Sequence, residues 1–234
     1  MSFEDNSEGD RRDPLFVAHG VNRPGIAKRA RKFMVDFVEV DLREVGGNLV
    51  VDHGPMVGMN GFWGTPMGAF VVKLFYDRRD LGKPIKAEDY FNAFGRSFHF
   101  WIDIKDRNIE TKVVDLLKKH DIRCPLFASS GYYDSLKQLK KIAPEIATFL
   151  GNVTYRPVDP VSLIKSADAD GISIHHTFVD GDLINAVHKG GLQVAVWTVN
   201  TRKDYQRVCE IGVDIVLSDK YKLFNAARAT TNSS

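Results

Sequence analysis

Two acidic side chains, Glu39 and Asp41, stand two residues apart in the apolar stretch FVEVDL. Residues two apart in a β-strand project to the same face, so this stretch predicts a strand that presents both carboxylates together. Neighbouring carboxylates repel each other, and a hard divalent cation with oxygen ligands relieves that repulsion. Asp103, in the run HFWIDI, would complete a three-carboxylate metal site. The structural alternative is a half-exposed strand whose acids meet solvent or Arg43.

Two histidines add proton chemistry to this acidic group. His19 ends the apolar run LFVAH, and His53 follows a Gly-Gly turn and the short run NLVVD, which is expected to return the chain to the same rim. Imidazole titrates near neutral pH, so two histidines beside a metal-bound phosphate can divide the proton transfers. One would take a proton from the attacking hydroxyl while the other protonates the leaving alkoxide. A packed or capping residue is the structural alternative for His19.

Further polar residues follow other predicted strands. Lys105 stands two residues after Asp103 and is expected to contact a phosphate oxygen or to balance the acids in an ion pair. His175 and His176 follow the run GISI, where they would contact substrate or belong to a surface loop. We take His176 as the substrate-binding candidate of this pair.

These candidates require a fold that gathers the ends of several strands. Short β-rich runs alternate with segments of helical period, which predicts a parallel sheet built from βα units. About eight strands in 234 residues favour an α/β fold of one domain, a (β/α)8 TIM barrel, whose active sites lie at the carboxyl ends of the strands. The strands are predicted at Leu15–His19, Phe37–Leu42, His99–Ile104, Pro125–Ser129, Ala147–Leu150, Gly171–Ile174, Gln193–Val199 and Asp214–Leu217.

The domain organisation follows from composition and spacing. The predicted divisions are a disordered tail at 1–13, a barrel at 14–226 with an insertion at 56–97, and a disordered tail at 227–234. The insertion comes after the His53 hairpin and is far longer than a normal connection between a strand and a helix. It is expected to be a surface excursion or a lid, with Phe62, Trp63 and Phe70 supplying apolar area over the substrate.

Composition narrows the kind of partner. The 32 Lys+Arg and 30 Asp+Glu residues leave a formal net charge of +2, without the positive excess that drives nucleic-acid or membrane-surface binding. A small molecule is therefore the expected partner. Only two cysteines occur, Cys124 and Cys209, and no apolar stretch matches a secretory signal or a membrane span. We expect a cytoplasmic protein with no stable membrane insertion.

Four stretches occur in a fixed order along the chain: VAH, VEVDLREVGGNLVVDHGP, WIDIK and VAVWTVNTRKDYQRVCEIGVDIVLSD. Together they resemble the glycerophosphodiester phosphodiesterase superfamily of barrels, which also includes the sphingomyelinases D of the spider-venom type. The last stretch is the most specific, because its strand, W-T-V-N, helix, G-V-D and final S-D are similar to the closing βαβ unit of that family.

The resemblance implies a role for each matched position. It implies one divalent metal ion, with Mg²⁺ as the first choice and Ca²⁺ as the alternative, and a small phosphodiester as substrate. It places Trp197 against the organic part of the substrate and Asn200 and Asp52 near the site in hydrogen-bonding roles. The implied set is His19 and His53 for acid-base catalysis, Glu39, Asp41 and Asp103 for the metal, and Lys105, Trp197 and Asn200 for the substrate. Asn22 and His176 are further substrate-binding candidates that the resemblance does not itself imply.

The chain also departs from the usual family pattern. Glycerophosphodiesterases usually carry H-R-G followed by P-E-N-T, whereas this chain has H-G-V-N at His19–Asn22. The H-x-V-N start and the Asp-x-Lys of the third strand are closer to the sphingomyelinases D. That group's catalytic loop is closed by a disulfide, whereas the segment directly after His53 here, GPMVGM, has no cysteine to close it. The resemblance therefore points to an atypical branch.

Several activities are compatible with these residues. Metal-dependent hydrolysis of a glycerol- or sugar-linked phosphodiester is favoured. The first alternative is a phosphotransferase, a phosphodiester synthase or a lyase that forms a cyclic phosphate, as in the sphingomyelinase D and agrocinopine enzymes. The second is a barrel that binds its ligand without catalysis. An unrelated metal-dependent barrel hydrolase is a third, although the chain lacks the H-x-H pair of an imidazole-rich site.

Overall fold

A computed structural model describes residues 13–33, 35–54, 84–122, 126–221 and 223. Eight parallel strands form a closed barrel, in which β1 pairs with both the second and the last barrel strand. The predicted (β/α)8 barrel is therefore confirmed. The strands are β1 (Leu15–Ala18), β2 (Phe37–Val45), β3 (Asn48–Val51), β4 (Ile85–Lys86), β5 (His99–Ile104), β6 (Phe127–Ser130), β7 (Ala147–Val153), β8 (Gly171–His175), β9 (Gln193–Trp197) and β10 (Ile215–Ser218).

Helices connect successive barrel strands and bury one face each against them. In α3 the buried apolar residues Val113, Val114 and Leu117 recur at helical spacing. Several helices begin at a side-chain cap, for example α6, where Asp180 accepts a hydrogen bond from the Leu183 amide. The helices of the described residues are α1 (Pro24–Ala30), α2 (Ala87–Phe94), α3 (Glu110–Lys119), α4 (Tyr133–Ile142), α5 (Pro160–Ser166), α6 (Gly181–Lys189) and α7 (Arg202–Glu210).

Strands β3 and β4 stand outside the barrel. Residues Asn48–Val51 run antiparallel to the end of β2, and Ile85–Lys86 pairs with them in turn. Residues 84–97, which belong to the predicted insertion, contain β4 and helix α2, and α2 buries Tyr90 and Phe91. The remaining part of that insertion, including the aromatic residues expected in a lid, lies outside the described residues. None of the helices that the structure describes has the length and apolarity needed to cross a membrane.

Three aspartates fasten the amino-terminal end of the barrel in the same way. Asp36, Asp170 and Asp214 each stand one residue before a barrel strand. Each carboxylate accepts a hydrogen bond from the second residue of the neighbouring strand, which adds a charge-assisted bond beyond the backbone ladder. The donors are the amides of Phe16 at 2.8 Å, Thr148 at 2.7 Å and Val194 at 2.7 Å.

The barrel interior is aromatic below the functional end. The ring of Trp101 lies 4.7 Å from the ring of Phe149 and 5.4 Å from that of Phe127, measured between centroids. On β2 the inward residues are Phe37, Glu39 and Asp41. On β5 they are Trp101 and Asp103, and Lys105 follows directly after that strand and lines the same interior. The same two strands thus carry apolar groups at the base and charged groups at the carboxyl ends.

Packing at the start of β8 requires a glycine. A Cβ on Gly171 would lie 2.6 Å from the carbonyl oxygen of Gln193 and 2.6 Å from the Phe149 ring. Because the first contact is to backbone, Gly171→Ala should lower the free energy of unfolding by about 1–3 kcal/mol, the usual cost of overpacking. Urea denaturation measures this difference. Gly181→Ala is the control, since a Cβ there meets nothing within 4 Å; equal stability of all three proteins would refute the packing argument.

Candidate active site

The three predicted acidic side chains meet at the carboxyl ends of β2 and β5. Asp41 is directly paired with Asp103 in the strand register, and Glu39 precedes Asp41 on the same face. Each of the three offers a carboxylate oxygen, and these oxygens all lie within 4.8 Å of one another. Glu39 and Asp41 are buried, with exposed fractions of 2% and 1%. The structure therefore brings together the group that strand periodicity predicted.

Asp41 is held by two partners. Its Oδ2 accepts a hydrogen bond of 2.5 Å from Nδ2 of Asn22, and its backbone amide donates to Oδ1 of Asn22 at 2.9 Å. Lys105 Nζ lies 2.9 Å from Oδ1 of Asp41. Burial by itself would raise the pKa of Asp41, but the charge of Lys105 and the bond from Asn22 hold it well below its usual range. Asp41 is therefore ionised.

Lys105 lies between two of the acids. Its ammonium group donates to Oδ2 of Asp103 at 2.5 Å and faces Asp41 on its other side. Burial alone would lower the pKa of Lys105, but the charges of Asp103, Asp41 and Glu39 raise it above its usual range. Lys105 stays a cation at every physiological pH.

Asp103 connects this charged group to the barrel interior. Its Oδ1 accepts a hydrogen bond of 3.0 Å from the Ser129 hydroxyl, which in turn accepts one of 2.8 Å from Nε1 of Trp101. Trp101 is buried among the interior aromatic rings. The Asp103 carboxylate is therefore held by Ser129, and Ser129 is held by Trp101, whose ring is fixed by packing.

Among the residues that the structure describes, no Lys or Arg forms an ion pair with Glu39. Its carboxylate accepts a hydrogen bond of 2.6 Å from the Gly20 amide. Burial and the neighbouring charge of Asp41 raise the pKa of Glu39 to about 8. Three acids share one ammonium group, and Oδ1 of Asp41 is buried with no aligned hydrogen bond from a described residue, although Lys105 Nζ lies 2.9 Å away. These two observations fit a divalent cation bound by Glu39, Asp41 and Asp103.

His19 stands at the end of β1 and is oriented by a carboxylate. Its Nδ1 lies 2.9 Å from Oδ1 of Asp219. Burial would lower the pKa of His19, but the Asp219 hydrogen bond and the charges of Glu39, Asp219 and Asp41 raise it to about 9. Asn200 positions Asp219 in turn, because its Nδ2 donates to Asp219 Oδ2 at 2.9 Å and its Oδ1 accepts from the Asp219 amide at 3.0 Å.

Asp219 was missed by reasoning from the sequence alone. It follows β10, the strand that pairs with β1, and it ends the stretch VLSD. The signal was present, since an acid directly after a barrel strand lies at the functional end. Its partner is 200 residues away along the chain, so only closure of the barrel shows that it faces His19.

His53 reaches the site from the β2–β3 hairpin. The amide of Asp52 donates to the Asp41 carbonyl at 3.1 Å, which places the next residue, His53, at the rim. Nδ1 of His53 lies 3.3 Å from the Gly54 carbonyl. Asp52 itself is paired with Arg23 at 3.2 Å and is buried, so it supports the hairpin.

A cavity of about 110 Å³ opens at the carboxyl ends of the strands, and we call it the mouth cavity. Both histidines line it, and so do the acids Glu39 and Asp103. Lys105 and Trp197 complete the set of predicted residues there. Its lining residues are His19, Glu39, His53, Trp101, Asp103, Lys105, Ser129, Gly151, Asn152, Ser173, Trp197, Thr198 and Leu217.

Three predicted substrate-binding residues do not line the mouth cavity. Asn22 is 2% exposed and holds Asp41, while Asn200 holds Asp219. The imidazole of His176 lies 3.9 Å from the carboxylate of Asp204 on helix α7. Asn22 and Asn200 therefore act on the site through the carboxylates they hold, and the structure places His176 against α7.

Acids, a lysine and two histidines thus meet at the carboxyl ends of the strands, the place where barrel enzymes carry their active sites. The profile of the glycerophosphoryl diester phosphodiesterase family matches residues 79–223, more than half of the chain. The chain belongs to the glycerophosphoryl diester phosphodiesterase family. The predicted family and the predicted class of enzyme, a phosphoric diester hydrolase, are thereby confirmed.

Relatives of known sequence or structure agree with this assignment. The glycerophosphodiester phosphodiesterase of Caldanaerobacter subterraneus is 26% identical over 86% of this chain and 89% of its own length. A phosphodiesterase of Oleispira antarctica, solved with the product sn-glycerol-3-phosphate, is 20% identical with a TM-score of 0.73, covering 92% of this chain and 97% of that one. A glycerophosphodiester phosphodiesterase of Parabacteroides distasonis is 17% identical with a TM-score of 0.72, covering 95% of this chain and 100% of that one. The two structures support the fold.

The contact between His19 and Asp219 predicts a pH effect that can be measured without a metal. The pKa of His19 lies at about 9, above the ordinary 6.5, so protonated His19 favours folding. This contribution is fully present below pH 6.5 and is lost as pH rises through 9. Asp219→Asn should shift the titration midpoint of His19 from about 9 toward 6.5, and histidine NMR in metal-free buffer measures it.

Asp214→Asn is the matched control for that titration. Asp214 accepts a hydrogen bond of 2.9 Å from Nε2 of His188 at the opposite end of the barrel and raises the pKa of His188. This variant should lower the His188 midpoint and leave His19 unchanged. An unchanged His19 midpoint in Asp219→Asn would show that Asp219 does not set its protonation.

Proposed function

We propose that this protein is a metal-dependent glycerophosphodiester phosphodiesterase that hydrolyses a small, glycerol- or sugar-linked phosphodiester. The observation that carries the proposal is a cluster of three carboxylates, two of which line the mouth cavity with Lys105 and two histidines, in a barrel of this family. Support comes from the Caldanaerobacter relative, which is named for this activity, and from the Oleispira enzyme, which was solved with sn-glycerol-3-phosphate as its product. The cytoplasmic location expected from the sequence is part of the proposal.

Glu39, Asp41 and Asp103 would hold the metal, with Mg²⁺ as the first choice and Ca²⁺ as the alternative. A bound divalent ion supplies positive charge that polarises the phosphoryl group. Lys105 lines the same cavity with a permanent positive charge and is suited to bind a phosphate oxygen. Trp197 gives the organic part of the substrate an apolar surface.

His19 and His53 divide the proton transfers in this proposal. Asp219 holds Nδ1 of His19 and keeps the ring protonated, so His19 is suited to give a proton to the leaving alkoxide. His53 then takes a proton from the attacking water. Attack by a hydroxyl of the substrate or of a second alcohol would use the same residues, and it would form a cyclic phosphate or a new diester. Hydrolysis and these alternatives differ in products that ³¹P NMR separates.

The acidic group should bind the metal on which turnover depends. Chelation should abolish hydrolysis of glycerophosphodiesters, and added Mg²⁺ should restore it. Glu39→Gln should weaken Mg²⁺ binding, measured by calorimetry, at least tenfold, because one anionic oxygen ligand is lost. Glu88→Gln is the control, since Glu88 is exposed on α2 and paired with Lys119. Equal affinity in the Glu39 variant and the wild type would remove Glu39 from the metal site.

The two histidines should affect chemistry rather than metal binding. His19→Ala and His53→Ala should each lower kcat about 10²–10⁴-fold, the usual contribution of a proton-transfer group. Mg²⁺ affinity should stay within about threefold of wild type. His188→Ala is the control, because His188 lies at the far end of the barrel beside Asp214. Full activity in both cavity variants would exclude the assigned roles, and full activity in one would exclude that residue.

A further inference from the structure

Strand β7 carries an irregularity at the rim of the mouth cavity. Leu150 pairs with Ile172 of β8, whereas Val153 pairs with Ile174, so β7 advances three residues where β8 advances two. One extra residue in a strand is a β-bulge, and bulges beside active sites re-aim a side chain. The bulge contains Asn152, which lines the mouth cavity.

The backbone of Asn152 is in the left-handed region, with φ of 59°. Asparagine adopts this conformation more readily than most residues, although at a cost. Among the described non-glycine residues with positive φ, Asn152 is the one that lines the mouth cavity; the others are Asn108, Asp121 and Asp168. The strained position therefore coincides with the proposed site.

The amide of Asn152 is available to a ligand. The side-chain amide is solvent-exposed and makes no hydrogen bond with the other residues that the structure describes. Gly131, at the end of β6, leaves room for it, because a Cβ there would lie 3.1 Å from Nδ2 of Asn152. On the next strand, Ser173 is also without a side-chain hydrogen bond in the described part of the chain. The Ser129 hydroxyl, in contrast, is occupied by Trp101 and Asp103.

The mouth cavity thus has two chemically different sides. The charged residues come from β1, β2, the β2–β3 hairpin and the end of β5, and the uncharged polar residues Asn152 and Ser173 come from β7 and β8. A phosphate drawn to the charged side leaves its esterified alcohol to extend over the uncharged side. There it meets an amide that both donates and accepts hydrogen bonds, a hydroxyl, and the ring of Trp197.

We infer that Asn152, with Ser173 on the neighbouring strand, binds a hydroxyl group of the alcohol esterified to the phosphate and thereby determines substrate specificity. The inference rests on the proposed function and adds a residue that selects the alcohol. A site with uncommitted polar groups discriminates against an analogue that lacks the matching hydroxyl, because those groups are then desolvated without a partner. The preferred substrate is accordingly a diester of a polyol or a sugar.

Asn152→Gly tests the inference, since glycine tolerates φ of 59° and removes only the side chain. The two substrates are glycerophosphoglycerol, which carries free hydroxyls, and bis(p-nitrophenyl) phosphate, which carries none. The variant should lose about tenfold in kcat/KM on the first, as expected for one lost hydrogen bond, and stay within about twofold on the second. Ser173→Ala should show the same selective loss.

Asn108→Gly is the matched control, with the same residue type and a φ of 63° outside the lining of the mouth cavity. It should leave kcat/KM unchanged on both substrates. Equal losses on both substrates, or no loss on either, for Asn152→Gly would overturn the inference while leaving phosphodiesterase activity intact. A wild-type protein that hydrolyses neither substrate would instead refute the proposed function. If thermal unfolding shows that the glycine variant is destabilised, Ser173→Ala alone must show the selective loss.

Discussion

The structure depends on two buried carboxylates and one half-buried carboxylate that lie beside one lysine at the mouth of the barrel. Removing ionised groups from water is costly unless they are paired and hydrogen-bonded. Asp41 and Asp103 meet this requirement through Lys105 and through polar side chains from other strands. Glu39 meets it only in part, because it accepts a hydrogen bond from Gly20 but pairs with no Lys or Arg of the described residues. Burial first, and then the excess negative charge contributed by Asp41, raise its pKa. A bound cation would neutralise this excess negative charge. The carboxylates that destabilise the fold would then be the ligands of the metal used in the reaction.

The rest of the barrel positions this charged group. The aspartates that precede strands fasten the amino-terminal end, and the aromatic rings of the interior fill the space below the site. The bond from Trp101 through Ser129 to Asp103 joins that packed interior to the acids. In a similar way, Asp219 follows the last strand, is held by Asn200 and fixes the position of His19. The site is therefore supported by contacts that only a closed barrel provides, which is one reason why it belongs at the carboxyl ends of the strands.

Much of the fold was readable from the sequence because it depends on local pattern. Each of the eight predicted barrel strands overlaps an observed one, since buried parallel strands are continuous apolar runs. The convergence of Glu39, Asp41 and Asp103 followed from the two-residue period of strands together with the common end at which parallel strands finish. The segments of helical period between these strands likewise form helices, for example α3 and α4.

Local sequence pattern did not predict contacts between distant parts of the chain. Asp219 and His19 meet only because β10 closes on β1, and Asn22 turned out to hold Asp41 instead of lining the cavity. The bulge at Asn152 depends on the register between β7 and β8, which no run of residue types specifies. His176 followed the correct strand, yet its ring lies against α7. Sequence pattern thus located the ends of the strands, while the direction of each side chain there depended on tertiary packing.

Anomalous diffraction from crystals soaked in Mn²⁺ would test the central claim most directly, because this ion takes the oxygen ligands of a magnesium site and is visible by its own scattering. The account predicts one strong peak at the mouth of the barrel, roughly 2.1 Å from an oxygen of each of Glu39, Asp41 and Asp103. A structure in which these carboxylates bind only Lys105, with manganese elsewhere or absent at saturating concentration, would contradict it.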